Sequence, residues 1–297
     1  METGKFRALG TLVEIRIVCK NKAQTKKARA DVRKAKEIFL SKQKIFSRFD
    51  SRSELSKLNR RLGIWQKASS DIAYLAKRAL FYNRESGGLY DPRIIDVLEN
   101  IGYKNKSAAN VHSNIPAKKT KSLSVDLKIK QNRVFFGRRM DFSGIAKGYI
   151  IDQAADFLKK NGWKNFFINA GGDAYAAGLD TDGKKWKMLI EGARDRNAAI
   201  RISNQGAATS GVIKKCWKHR GRKVHHLVNP KNPEKFSFDI KTVLVIHKKT
   251  EWADGRAKVL VLAGKKEGIA RAKKMKLKAI FVDKFGKIIP TSTNIQC

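Results

Sequence analysis

Apolar and polar positions alternate along this chain with a period that changes several times. Within residues 7–18, Val13, Ile15 and Ile17 recur at every second place, which predicts a strand. Over residues 25–46 the spacing becomes helical, with Val32, Ala35, Ile38, Phe39 and Ile45 on one side. The polar turn IFSRFDSRSELSKLN leads into a short helix with Ser53 as its N-cap and Leu55 and Leu58 as anchors. Another helix is expected over residues 70–86, ended by Gly87-Gly88. Tyr90-Asp91-Pro92 reads as extended or turn, because Pro92 disfavours helix at Asp91.

The rest of the pattern is richer in strands. Residues 124–130 and 134–136 predict a hairpin turning at Gln131-Asn132, followed by a helix that buries Ile150, Ile151, Ala154, Ala155 and Leu158. Gly171-Gly172-Asp173 separates strands at 166–170 and 174–179, and a meander is expected over 185–192, 198–203 and 206–211. A strand at 223–228 stops at Asn229-Pro230, and the clearest strand, 242–247, runs into a helix through Glu251-Trp252-Ala253-Asp254. Gly264 stops that helix before a short basic one, and a hairpin over 279–282 and 287–290 closes the chain. Residues 104–121 are basic and poor in apolar positions, as in a surface excursion. With no repeat and no linker of distinct composition, the pattern implies one mixed α/β domain.

Composition narrows the class. Hydrophobic residues make up 42% of 297 positions, enough for a substantial core. No run of about 18 apolar residues marks a spanning helix. The N-terminal stretch is interrupted by Glu14 and Arg16, unlike a signal peptide, which makes Cys19 a poor lipid-attachment site. Cys19, Cys216 and Cys297 lack metal-ligand spacing, and a cytoplasmic location is the simplest expectation. The net charge of +39 raises a nucleic-acid reading. The lysines are scattered through every segment, however, with neither a basic tail nor an aromatic RNA-binding signature, so only incidental polyanion binding at low salt is expected.

Chemistry concentrates in MDFSGIAKGYIIDQAAD. Asp141 ends a strand-like run, Ser143-Gly144 turns the backbone, and Lys147 sits at a helix start, where amides and an ammonium together suit a phosphate. The carboxylate could hydrogen-bond a ligand or help hold a cation. An ordinary strand-to-helix turn with a solvated lysine has the same look. Gly171-Gly172-Asp173, Thr209-Ser210-Gly211 and Asp254 are each also consistent with plain turns or a helix-start acid. Of His225 and His226 only one can face a given side of a strand.

Their order is more specific than any one of them. F-R-A-L-G-T, F-S-R-F-D-x-x-S-E-L-S-K-L-N, G-G-L-Y-D-P, D-F-S-G-I-A-K-G-Y-x-x-D, N-A-G-G-D, A-T-S-G, H-x-V-N-P and W-A-D-G follow one another along the chain. This series resembles the ApbE family of FAD:protein FMN transferases across residues 6–290. The resemblance implies a single ApbE-like (T-fold-like) domain, with mostly antiparallel sheets and packed helices. It implies Mg²⁺-dependent transfer of FMN from FAD to a threonine hydroxyl of an acceptor protein, with release of AMP. FAD pyrophosphatase activity, or a catalytically weakened FAD-binding module, are the alternatives.

Carried over by motif, Leu9, Phe49, Leu89, Tyr90, Asp91, Asp141, Lys147, Asp173, Thr209 and Val228 match positions at the FAD site. Lys147, Asp254 and His226 match catalytic positions, and the Gly144 carbonyl and Asp254 match metal contacts. Two departures stand out. Lys258 replaces a threonine that commonly also contacts the metal; one helical turn after Asp254, it could pair with that acid or point away. The family's H-x-x-D-P-x-T-G becomes His226-Leu227-Val228-Asn229-Pro230-Lys231-Asn232-Pro233, without the acid and the T-G.

Overall fold

The computed structural model describes residues 1–103 and 122–293, so the expected excursion at 104–121 lies outside the described residues. In chain order the elements begin with β1 (Glu2–Ala8), β2 (Thr11–Ile17), α1 (Lys22–Phe46), α2 (Glu54–Asn59), β3 (Trp65–Lys67), α3 (Ser70–Glu85), α4 (Ile95–Asn100) and α5 (Leu123–Asp126). There follow β4 (Leu127–Lys130), β5 (Arg133–Phe136), α6 (Ser143–Lys160), β6 (Phe166–Ala170), β7 (Asp173–Ala177), β8 (Trp186–Leu189) and β9 (Ala199–Ile202). β10 (Gln205–Gly211), β11 (Cys216–His219), β12 (Arg222–His225), β13 (Ile240–His247), α7 (Thr250–Lys274), β14 (Lys278–Asp283) and β15 (Ile288–Pro290) complete it. Among the described residues, no helix is long and apolar enough to cross a membrane.

The elements gather into two compact units. The first comprises Met1–Gln43, Ile145–Gly211 and the chain from Asp239 onward; the second comprises Lys44–Gly144 and Val212–Phe238. The first unit is built on an eight-stranded sheet of order β1-β2-β6-β7-β10-β13-β14-β15, antiparallel at every junction. The two-residue alternation of β13 sends Leu244 and Ile246 to one face, where the β8–β9 hairpin covers them with Trp186, Met188, Ile200 and Ile202. Val243 and Val245 go to the other face, against Ala253, Ala257 and Leu260 of α7. A strand covered on both sides must be apolar almost throughout, which is why 242–247 was the clearest strand in the sequence.

The second unit holds a three-stranded antiparallel sheet, β3-β5-β4, the β11–β12 hairpin and helices α2 to α5. Ser53 caps α2 by accepting the Ser56 N–H, as its sequence position suggested, and Ser69 caps α3 in the same way.

The antiparallel, mixed α/β character expected from the sequence is met, while several boundaries differ. The single strand expected over 7–18 is a hairpin turning at Leu9-Gly10, where φ is 54° and 72°. Two positive φ values in a two-residue loop match strand twist, so the chain reverses there even though Leu9 is no usual turn former. Residues 123–126 form a helical turn rather than the start of a strand, and the strand expected at 223–228 ends at His225. Gly264, at φ 78°, breaks the helical path within α7 as expected.

Candidate active site

In the first unit, four separate segments deliver charge to one place. Lys147, in the second turn of α6, puts its Nζ 2.8 Å from Asp173 Oδ2. Asp173 opens β7 directly after the Gly171-Gly172 turn and is 1% exposed. Its Oδ1 accepts the Thr209 N–H from β10 at 2.9 Å, so the carboxylate is fixed at both oxygens. Asp254, in α7, accepts the Gly148 N–H on Oδ2 at 3.0 Å.

Two glycines allow these approaches. A Cβ on Gly148 would lie 2.7 Å from Glu251 Cα, so only glycine lets α6 sit against the start of α7 and hand its amide to Asp254. Gly171, at φ +67°, would place a Cβ 2.2 Å from Thr11 Oγ1, packing the Asp173 turn against the β1–β2 turn that carries Leu9. Asp152, one turn beyond Gly148, sets the α7 start itself. Its two oxygens accept the Thr250 and Glu251 N–H groups at 2.8 and 3.0 Å, in place of a capping side chain at Lys249.

The electrostatics are those of a site short of positive charge. Burial opposes the charged form of Lys147, but Asp173, Asp254 and Glu191 outweigh it and raise the ammonium above its ordinary range. Burial and the nearby Asp173 carboxylate push Asp254 well above the usual carboxylate range, and Lys147, Lys258 and the Gly148 N–H offset this only in part. Lys258, at i+4 from Asp254, contributes to that offset. Three carboxylates stand against two ammonium groups.

In the second unit, Asp141 pairs with Arg48 at 3.1 Å, both side chains being almost fully buried, and its Oδ1 accepts the Ser143 N–H at 2.7 Å. The Arg48 guanidinium also lies 4.1 Å from the Phe49 ring centre and 5.1 Å from that of Tyr103. Tyr103 stacks on Trp217 at 5.4 Å, and the His226 ring lies 6.3 Å from it. Phe49 is 43% exposed. His225 and His226 point apart: His225 is buried, bonded through Nε2 to the Ser237 carbonyl and packed against Phe236 and Phe238. Val228 packs on Leu98 and Ile101. Leu89 and Tyr90 are buried, Asp91 is gripped by Arg93 through both oxygens, and Gly144 lies in the first turn of α6.

Lys147, Asp173, Thr209 and Asp254 thus meet in one unit, and Phe49, Asp141 and His226 surround Arg48 and Tyr103 in the other. Sequence reasoning missed Glu191, Arg48, Tyr103, Trp217 and the capping role of Asp152. Asp152 left a signal in its fixed place in I-A-K-G-Y-x-x-D, as did Arg48 in F-S-R-F-D.

The model of the ApbE family matches residues 9–281. An FAD:protein FMN transferase of Vibrio cholerae is 29% identical over 149 residues, 49% of this chain and 45% of that protein. Its namesake in Haemophilus influenzae is 29% identical over 143 residues, 46% of this chain and 41% of that protein. The chain therefore spans less than half the length of these curated relatives in the matched regions. Among solved structures, the flavin transferase ApbE of Vibrio cholerae superposes with a TM-score of 0.81 at 21% identity, covering 98% of each chain. The apo flavinyl transferase ApbE of Pseudomonas stutzeri gives 0.82 at 22%, covering 99% of this chain and 94% of that one.

Proposed function

The chain belongs to the ApbE family, and from that premise we propose that it is an FAD:protein FMN transferase. It takes FAD, joins the FMN half to a threonine hydroxyl of an acceptor protein and releases AMP. The observation that carries this reading is the buried Lys147–Asp173–Asp254 cluster, a fixed ammonium held among carboxylates at the start of two helices.

The donor set fits a divalent cation. Burial and the nearby Asp173 carboxylate push Asp254 toward protonation, and the surplus of carboxylates over lysines would repel a pyrophosphate unless a cation joined them. Among the described residues, no three or more His, Cys, Asp or Glu gather into a metal centre. Mg²⁺ needs no such cage, taking few protein oxygens and the rest from phosphate and water. Asp254 would hold it. When bound, the ion supplies neutralisation of pyrophosphate charge.

The chain's own residues do the positioning. Lys147, locked by Asp173, supplies a preorganised charge for the phosphate that departs with AMP. In the transfer, the threonine oxygen bonds to the FMN phosphorus as the bond from that phosphorus to the AMP oxygen breaks. The hydroxyl proton passes to a general base.

Incubation with FAD, Mg²⁺ and acceptor domains should release AMP and leave a fluorescent protein band in a denaturing gel. Neither product with any of several acceptors would sink the reading. AMP and free FMN formed without acceptor would identify a pyrophosphatase instead.

A further inference from the structure

The β3-β5-β4 sheet of the second unit has one buried face and one that no described residue covers. Gln66, Val134, Phe136 and Leu127 point inward. The outward face consists of two cross-strand rows, Trp65–Phe135–Lys128 and Lys67–Arg133–Lys130. Two aromatic rings and four cations occupy those six places, with no acid among them. Trp65 is 38% exposed and leans on Phe135 at 6.0 Å, while the Lys128 ammonium covers the other ring from 4.9 Å. The loop that enters β3 extends the apolar end, because Leu62 and Ile64 are 41% and 44% exposed.

The layout is polar along the strands: an apolar tip of Leu62, Ile64 and Trp65, then a shoulder of cations toward the β4–β5 turn. A stretched nucleic acid would use the rings, yet Phe135 is already covered by Lys128, and bases gain no stacking from Leu62 or Ile64. An aromatic and aliphatic tip backed by cations matches instead the boundary between lipid headgroups and acyl chains, where two weak signals combine into one stable attachment. We propose that this sheet face docks the chain on the surface of an anionic bilayer, with Trp65 and Ile64 at acyl depth and Lys67, Lys128, Lys130 and Arg133 at the headgroups. The proposal stands apart from the flavin chemistry and does not depend on it.

The test is co-sedimentation of the full chain with phosphatidylcholine vesicles, with and without about 30% phosphatidylglycerol, at about 0.15 M salt. Binding is expected only to the anionic vesicles, and brominated acyl chains should quench part of the indole emission. In Trp65→Phe that part of the quenching should disappear. Exchange of Lys128, Lys130 and Arg133 for Gln should weaken binding roughly tenfold or more, although the chain keeps most of its net charge. Both variants are compared with the parent by thermal melting, and the Trp65→Phe readout needs no change of stability. Failure to bind, or affinity unmoved by loss of the three cations, would place any attraction in the overall charge and overturn the proposal. Undiminished quenching in Trp65→Phe, or binding of oligothymidylate in preference to vesicles, overturns it equally.

Discussion

Lys147→Met is the sharpest probe of the charge cluster, because it removes the ammonium and keeps most of the side-chain volume. At 2.8 Å and an effective dielectric of about 20, the Lys147–Asp173 attraction is on the order of 6 kcal/mol before desolvation is counted. Removing one partner of a fully buried pair costs about 3–5 kcal/mol, because the other charge is left without compensation. The Lys147 side chain is 27% exposed, so water screens part of the pair and the expected loss is about 2–4 kcal/mol. For a chain of this size that lowers the melting temperature by roughly 3–6 °C. Asp173→Asn keeps an oxygen for the Thr209 N–H and removes the orphaned charge, so adding it to Lys147→Met should recover most of the loss. Thermal melts of the parent, both single variants and the double variant at about pH 8 form a double-mutant cycle. A coupling below about 0.5 kcal/mol would show that the two side chains do not neutralise one another, and the account of the site would fall with it.

Asp254→Asn follows from the raised pKa of that carboxyl. An acid whose folded pKa exceeds its unfolded value contributes most stability when both states are protonated and loses it as pH rises through the folded pKa. The asparagine variant escapes that loss, so its melting advantage over the parent should be small near pH 4 and grow toward pH 8; a gap independent of pH would contradict the assignment. The same variant should abolish any Mg²⁺-induced rise in melting temperature. Lys258→Thr removes the second ammonium acting on Asp254 and should tighten divalent-cation binding by roughly tenfold, read by titrating Mg²⁺ against the melting temperature without flavin; an unchanged midpoint would remove Lys258 from the site. Arg48→Lys should cost about 2–3 kcal/mol despite keeping the charge, because a lysine can neither fork onto Asp141 nor stack on Phe49 and Tyr103. Chemical denaturation would expose the opposite result, a variant as stable as the parent.

Much of the first unit could be read in advance, since β13 and β14 are buried on both faces and read as apolar runs. The β1–β2 turn could not, because Leu9 carries a left-handed backbone that its side chain does nothing to advertise. Nor could β11, where Cys216-Trp217-Lys218-His219 has no apolar alternation and becomes a strand through pairing with β12. In the site, Lys147, Asp173 and Asp254 stood out because each sits at a turn or helix start. Glu191, Tyr103 and Trp217 lie in unremarkable surroundings in the sequence, and only long-range pairing brings them to their partners. Lys258 was legible from helical spacing alone.

Asp152 gives the fold a substitute for the anion that helix α7 would otherwise attract. The Thr250 and Glu251 amides, which at an open helix start would point at a phosphate, are filled from within by a carboxylate. The burial that raises the pKa of Asp152 shows that holding this charge in place is not free. In return, those two amides are closed to a loose phosphate, and the protein carries its own plug for a helix start that would otherwise draw anions.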